Sequence, residues 1–324
     1  MGTNSALTRR AFLAATTTTA TVAISGCVTT NTAKVVPGKI SPNEKVVVGL
    51  IGLGGRCREI AKNCMGIPEM EVAAVCDCFR PRVDAALKTL DHGNGYIDFR
   101  TMIEKENLDG VMVETTTHAR AWVACHAMAM GMDAYIEKPM ALTISEGRYM
   151  VNIARKYNRV TQIGTQQRSM PLNIWASELA LSGALGKIKE VHAPNFVGAL
   201  RWEKKPAQKL PKGGDEGWWD IWTNQAEFRD YHEELQKQWN RWWPYDGGGQ
   251  TYGVTGWGAH SYDQVNRGLG MYDEGPLEIL LEEPVRVERT GDFSNMNPGP
   301  EETGQVYYGM ANQVGPRAKV SMKF

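Results

Sequence analysis

Lys45-Val46-Val47-Val48-Gly49-Leu50-Ile51 runs straight into Gly52-Leu53-Gly54-Gly55-Arg56-Cys57, and few architectures accommodate that order. The β-branched apolar run predicts a strand buried on both faces, as in a parallel sheet covered by helices. The glycines predict a tight turn, and Arg56 to Met65 predicts a helix. Strand, glycine turn and helix together point backbone N–H groups at a helix N-terminus with no side chain in the way, which suits a pyrophosphate. Cys57 stands where a third glycine is usual, a change that loosens helix–strand packing and leaves the two phosphate-facing glycines in place. Such a turn is a weak signal alone, so the test is an acid at the end of the next strand. Glu71 to Asp77 supplies it. A carboxylate at Asp77 would accept hydrogen bonds from ribose hydroxyls and repel a 2′-phosphate, which points to NAD. Arg80 and Arg82 lie just beyond and keep NADP open. Asp77 read alone is also an ordinary helix cap.

The alternation continues. Leu108 to Glu114 predicts a strand, Thr115 to His118 a polar loop, Ala119 to Met130 a helix, and Ala134 to Ile136 another strand. Thr143-Ile144-Ser145-Glu146 is a capping box for a helix reaching about Tyr157, and Val160 to Gly164 is one more strand. Tyr135-Ile136-Glu137-Lys138-Pro139-Met140 joins a buried strand to a sharp turn that carries an ammonium group. From those residues alone it reads equally as a strand end with a surface Glu-Lys pair. Ligands of open parallel sheets lie beyond the carboxyl ends of the strands, so Lys138 and the threonine loop are expected to border one crevice.

The chain has 324 residues, of which 42% are hydrophobic and 22% charged, enough for two domains with a core each. Lys plus Arg equals Asp plus Glu at 36 each, which argues against a nucleic-acid or anionic-lipid partner and for a small neutral one. Arg9-Arg10 ahead of a weakly apolar stretch has the layout of a twin-arginine export signal, and Ile24-Ser25-Gly26-Cys27 is similar to a lipobox that would anchor the chain through Cys27. Residues 1–27 are therefore expected to be a signal and residues 28–44 a linker, with an exported location. Cys57, Cys64, Cys76, Cys78 and Cys125 lack zinc-ligand spacing and are expected to be free thiols in a core, with no metal site.

Gly52 to Arg56, Asp77, Glu137-Lys138-Pro139, Gly164-Thr165-Gln166-Gln167-Arg168, Ser182 to Ile188 and Trp257-Gly258-Ala259-His260-Ser261-Tyr262-Asp263 occur in the order seen in the Gfo/Idh/MocA oxidoreductases. The chain resembles that family, particularly its exported bacterial branch. The resemblance implies an α/β fold: a Rossmann domain over residues 45–165, then an α/β domain over residues 166–324 with an open, mainly antiparallel sheet. It implies catalytic roles for Lys138 and His260. Cofactor contacts fall on Gly52, Gly54, Gly55, Arg56, Asp77, Thr115, His118, Glu137, Lys138 and Gln167, and it suggests a cis Lys138–Pro139 bond. Three departures stand out: Arg120 replaces the last histidine of the threonine loop, Gly256 replaces an acid before His260, and the chain ends at Phe324 where relatives run on. The second sheet, and the homo-oligomer surface it would carry, are expected to be cut short.

Six of the ten tryptophans fall between Trp218 and Trp243. Indole faces stack on sugar C–H faces, so Trp222, with Arg168 and Asp263, is a candidate substrate contact, while most of the six are expected in a core. The expected activity is NAD(P)-dependent hydride transfer to or from a sugar or cyclitol hydroxyl. One alternative is an NAD-dependent glycoside hydrolase that oxidises the ring transiently. A second is a non-catalytic sugar-binding lipoprotein.

Overall fold

The computed structural model describes residues 45–192, 202–203, 205–246, 258–271, 275–287 and 316–323. All of the described residues lie in one compact unit, residues 40–324. The export signal, Cys27, the whole linker, Gly256 and Trp257 fall outside the described residues.

Six parallel strands form the first sheet in the order β3-β2-β1-β4-β5-β6: β1 (Val46–Ile51), β2 (Met70–Cys76), β3 (Asn94–Tyr96), β4 (Gly110–Val113), β5 (Asp133–Glu137) and β6 (Thr161–Gly164). Their connections carry α1 (Gly55–Met65), α2 (Arg80–Leu90), α3 (Phe99–Lys105), α4 (Thr117–Ala129) and α5 (Ile144–Lys156). All four residues of β4 are buried, as the continuous apolar run requires of a central strand covered on both faces. Two cores result, one per face. Val111, Val113 and Ile136 pack with α4 and α5, while Val48, Leu50 and Val75 pack with α1 and α2. Four of the five described cysteines, all free thiols, are buried. Thr143 caps α5 by accepting from the Glu146 N–H at 3.2 Å, and Glu146 accepts from the Thr143 N–H at 3.1 Å, the reciprocal box its sequence predicts.

Beyond β6 follow α6 (Pro171–Leu181), α7 (Trp218–Thr223), α8 (Glu233–Lys237) and α9 (Gly258–Gly268), then the antiparallel pair β7 (Glu278–Val287) and β8 (Pro316–Lys323). Trp218, Trp219, Trp222, Tyr231, Leu235, Trp242 and Tyr245 form a third core. Four of the six clustered tryptophans are thus interior, and Trp243 is exposed. The cluster sits on the Rossmann domain, with the Trp218 and Phe79 rings 5.0 Å apart and Arg80 paired to Asp215 at 2.9 Å.

Candidate active site at the carboxyl edge of the parallel sheet

A cavity of about 420 Å³ opens at the carboxyl ends of β1, β2 and β4. Its walls include Gly52, Gly54, Gly55 and Arg56 from the glycine turn, Asp77, Glu114 and Thr115 from the strand ends beside it, Arg82 from α2, Arg120 from α4, and Trp222 and Trp239 from the aromatic region. The turn is built for close approach. Gly52 has φ +90°, and a Cβ there would lie 2.7 Å from the Thr115 nitrogen, so the glycine lets β1 and the β4 loop touch. A Cβ on Gly54 would meet nothing within 4 Å, and α1 starts there with no side-chain cap, leaving its N–H groups facing the cavity.

Asp77 lies on the cavity wall and also anchors the local backbone. One oxygen accepts from the Leu53 N–H at 2.8 Å and the other from the Phe79 N–H at 2.9 Å, which fixes the glycine turn against β2 while the carboxylate stays on the cavity wall. Arg82 lies 3.4 Å from Asp77 and Arg80 is held by Asp215. Both arginines that kept a 2′-phosphate open are therefore partnered by carboxylates, which favours NAD.

At the end of β5, Glu137 is buried and accepts from Arg56 at 3.3 Å, so the acid tethers the start of α1. The next peptide bond, Lys138–Pro139, is cis. Arg120 is fully enclosed and donates to the Pro139 carbonyl at 2.6 Å and to Thr117 Oγ1 at 3.2 Å, which holds the lysine turn from the α4 side. Burial lowers the Lys138 pKa, Glu137 opposes this, Arg120 lowers it further, and Asp246 opposes it. His260, on the first turn of α9, is buried, and burial and the Lys138 charge push it down to about 4. The Lys138 charge acts on His260, so the two catalytic candidates lie near one another, although neither is among the residues lining the cavity. Near neutral pH His260 is therefore a neutral imidazole.

His118 is a correction. It was expected at the cofactor, but its ring packs between Trp222 and Tyr245, with centroids 5.2 and 4.9 Å away, and Nε2–H donates to the Trp222 carbonyl at 2.9 Å. Full burial pushes it down to about 4. It fastens the aromatic core to α4. Gln167 lies off the cavity, its side chain accepting from Asn173 at 3.4 Å. Arg168 and Asp263 are joined by a bidentate pair with distances from 2.6 to 2.9 Å, and Arg267 donates to the Arg168 carbonyl at 2.9 Å. These contacts tie α9, and with it His260, to the chain leaving β6. Sequence reasoning passed over Glu114, Arg120 and Asp246 as site residues. The available signal was a carboxyl closing an apolar strand and an arginine inside an alanine-rich helix, both of which become buried charge-bearing positions.

Residues 46–165 match the model of GFO_IDH_MocA, the oxidoreductase family with an NAD-binding Rossmann fold. This is a Gfo/Idh/MocA domain. Among curated proteins, a glycosyl hydrolase family 109 protein of a Shewanella strain is 24% identical over 184 residues, 54% of this chain and 40% of the relative. Inositol 2-dehydrogenase of Salmonella typhimurium is 27% identical over 168 residues, 50% of this chain and 49% of the relative. The matches span half or less of those relatives. An Agrobacterium radiobacter oxidoreductase, solved with NAD+, L-tartaric acid and magnesium, shares the fold with TM-score 0.53 at 16% identity, covering 86% of this chain and 63% of that one. The open Gly54 face, the uncapped N-terminus of α1 and Asp77 beside it fit the dinucleotide that this family binds.

Proposed function

We propose that this Gfo/Idh/MocA chain transfers a hydride between a nicotinamide cofactor and a hydroxyl-bearing carbon of a small carbohydrate or cyclitol, with Lys138 and His260 managing the hydroxyl proton. The observation that carries the reading is the cavity at the glycine turn, whose wall residue Arg56 pairs with Glu137, the neighbour of Lys138. When bound, NAD supplies the hydride acceptor. A partly buried ammonium with a lowered pKa is suited to polarise the substrate oxygen and to exchange its proton. The neutral His260 imidazole is an acceptor for that proton without first having to lose one of its own. Arg120 and Glu137 hold the lysine turn, and the Arg168–Asp263 pair holds the helix of His260.

Lys138→Met tests the assignment. It is expected to keep NAD binding while hydride transfer falls by about 10²-fold or more, the usual contribution of a positioned acid–base group. Unchanged transfer with NAD bound would sink the role.

The family 109 relatives favour a second reading, in which oxidation is transient, a glycosidic bond is eliminated and the hydride is returned. Glycoside cleavage without consumption of added NAD supports it; net accumulation of reduced cofactor supports the dehydrogenase. The Arg9-Arg10 signal makes export part of the proposal, and a cofactor carried out of the cytoplasm would have to be retained through the cycle.

A further inference from the structure

Glu114 is 8% exposed, closes β4 and lines the cavity, yet neither carboxyl oxygen has a hydrogen-bond partner in the protein. Its neighbours offer charge without contact. Glu137 on β5 repels its ionised form, while Arg120 on α4 and Arg56 on α1 attract it. Cys57 and Cys64 on α1 and Tyr135 on β5 also lie within its field. A buried carboxyl without partners is costly, and nothing in the packing of β4 requires it, since the preceding positions of the strand are all apolar. β4 lies on the opposite side of β1 from β2 and Asp77, so a dinucleotide with its pyrophosphate at the glycine turn and its adenosine ribose at Asp77 would extend its nicotinamide half toward β4.

We propose that Glu114 is a further binding residue of the dinucleotide site, its carboxyl making with the nicotinamide half the hydrogen bonds that the protein leaves unmade. The inference rests on the dinucleotide reading of the cavity and adds a contact at a position otherwise read only as the end of an apolar strand. Burial, with Glu137 adding to it, raises its pKa to about 8, so near neutral pH the group is mainly a carboxylic acid, able both to donate and to accept. This suits it to hydroxyl and carboxamide partners.

The test is isothermal titration of the full chain, stripped of endogenous nucleotide, with NAD+, together with melting of the ligand-free protein. Glu114→Leu is expected to weaken NAD+ binding by about tenfold or more, the effect of losing a buried polar contact. Its ligand-free melting temperature should equal or exceed that of the parent, because an unpartnered buried carboxyl has been removed. Glu114→Gln, which keeps a donor and an acceptor, should bind within about threefold of the parent, well inside the tenfold step. Parent-like binding by Glu114→Leu overturns the proposal. So does an affinity loss accompanied by a lower melting temperature, which marks a structural group. A parent protein that takes up no NAD+ overturns the dinucleotide reading itself, an outcome distinguishable because the variants are then immaterial.

Discussion

Glu114 also sets a stability signature. Its pKa rises from 4.5 in the unfolded reference to about 8 in the fold, so between those values the folded state holds the extra proton. The stabilisation is complete below about pH 4.5 and is lost as pH rises through about 8. The melting temperature of the parent relative to Glu114→Gln is therefore expected to fall between pH 5 and pH 9 and then level off; a flat difference would show that the carboxyl ionises normally. His260 gives a second signature. If its imidazole accepts the proton in catalysis, the acid limb of kcat/KM should sit near pH 4, where its pKa lies, and a limb near the ordinary 6.5 would contradict the burial argument. Asp77 and the Lys138 turn stood out in the sequence because each closes a local pattern, whereas His260 was named through the family resemblance. Glu114 and Arg120 were not, since their burial comes from β5, α4 and the aromatic core, which no local pattern reports.

The β1–α1 turn separates two uses of glycine that the sequence writes identically. Gly52→Ala forces a methyl into the Thr115 backbone at φ +90°, and is expected to cost about 1–3 kcal/mol of stability as well as ligand binding. Gly54→Ala places its methyl in open cavity space at φ −73°, so the melting temperature should hold while NAD affinity collapses, measured by thermal denaturation and titration. Equal effects of the two would refute the division of labour. The order of strands and helices was readable from periodicity and caps, as the Thr143–Glu146 box shows. The three-residue β3 is too short to carry a pattern, and the partnering of Arg168 with Asp263 spans elements far apart in the chain.

Across the whole molecule, the Rossmann half follows from local rules and the second half from tertiary ones. Most of its clustered tryptophans were expected in a core, and the structure makes four of them interior, with Trp222 serving both the core and the cavity wall. Of the mainly antiparallel sheet expected in the second domain, the described residues hold only β7 and β8, which leave Ile279, Leu280 and Leu281 exposed; two strands alone bury neither face well. The central claim is that the cavity at the glycine turn holds a nicotinamide dinucleotide. Mass spectrometry of the small molecules released on denaturing the purified protein, repeated after incubation with NAD and gel filtration, tests it most directly. The account predicts NAD in near-stoichiometric amount in at least the second sample; its absence from both would contradict the claim.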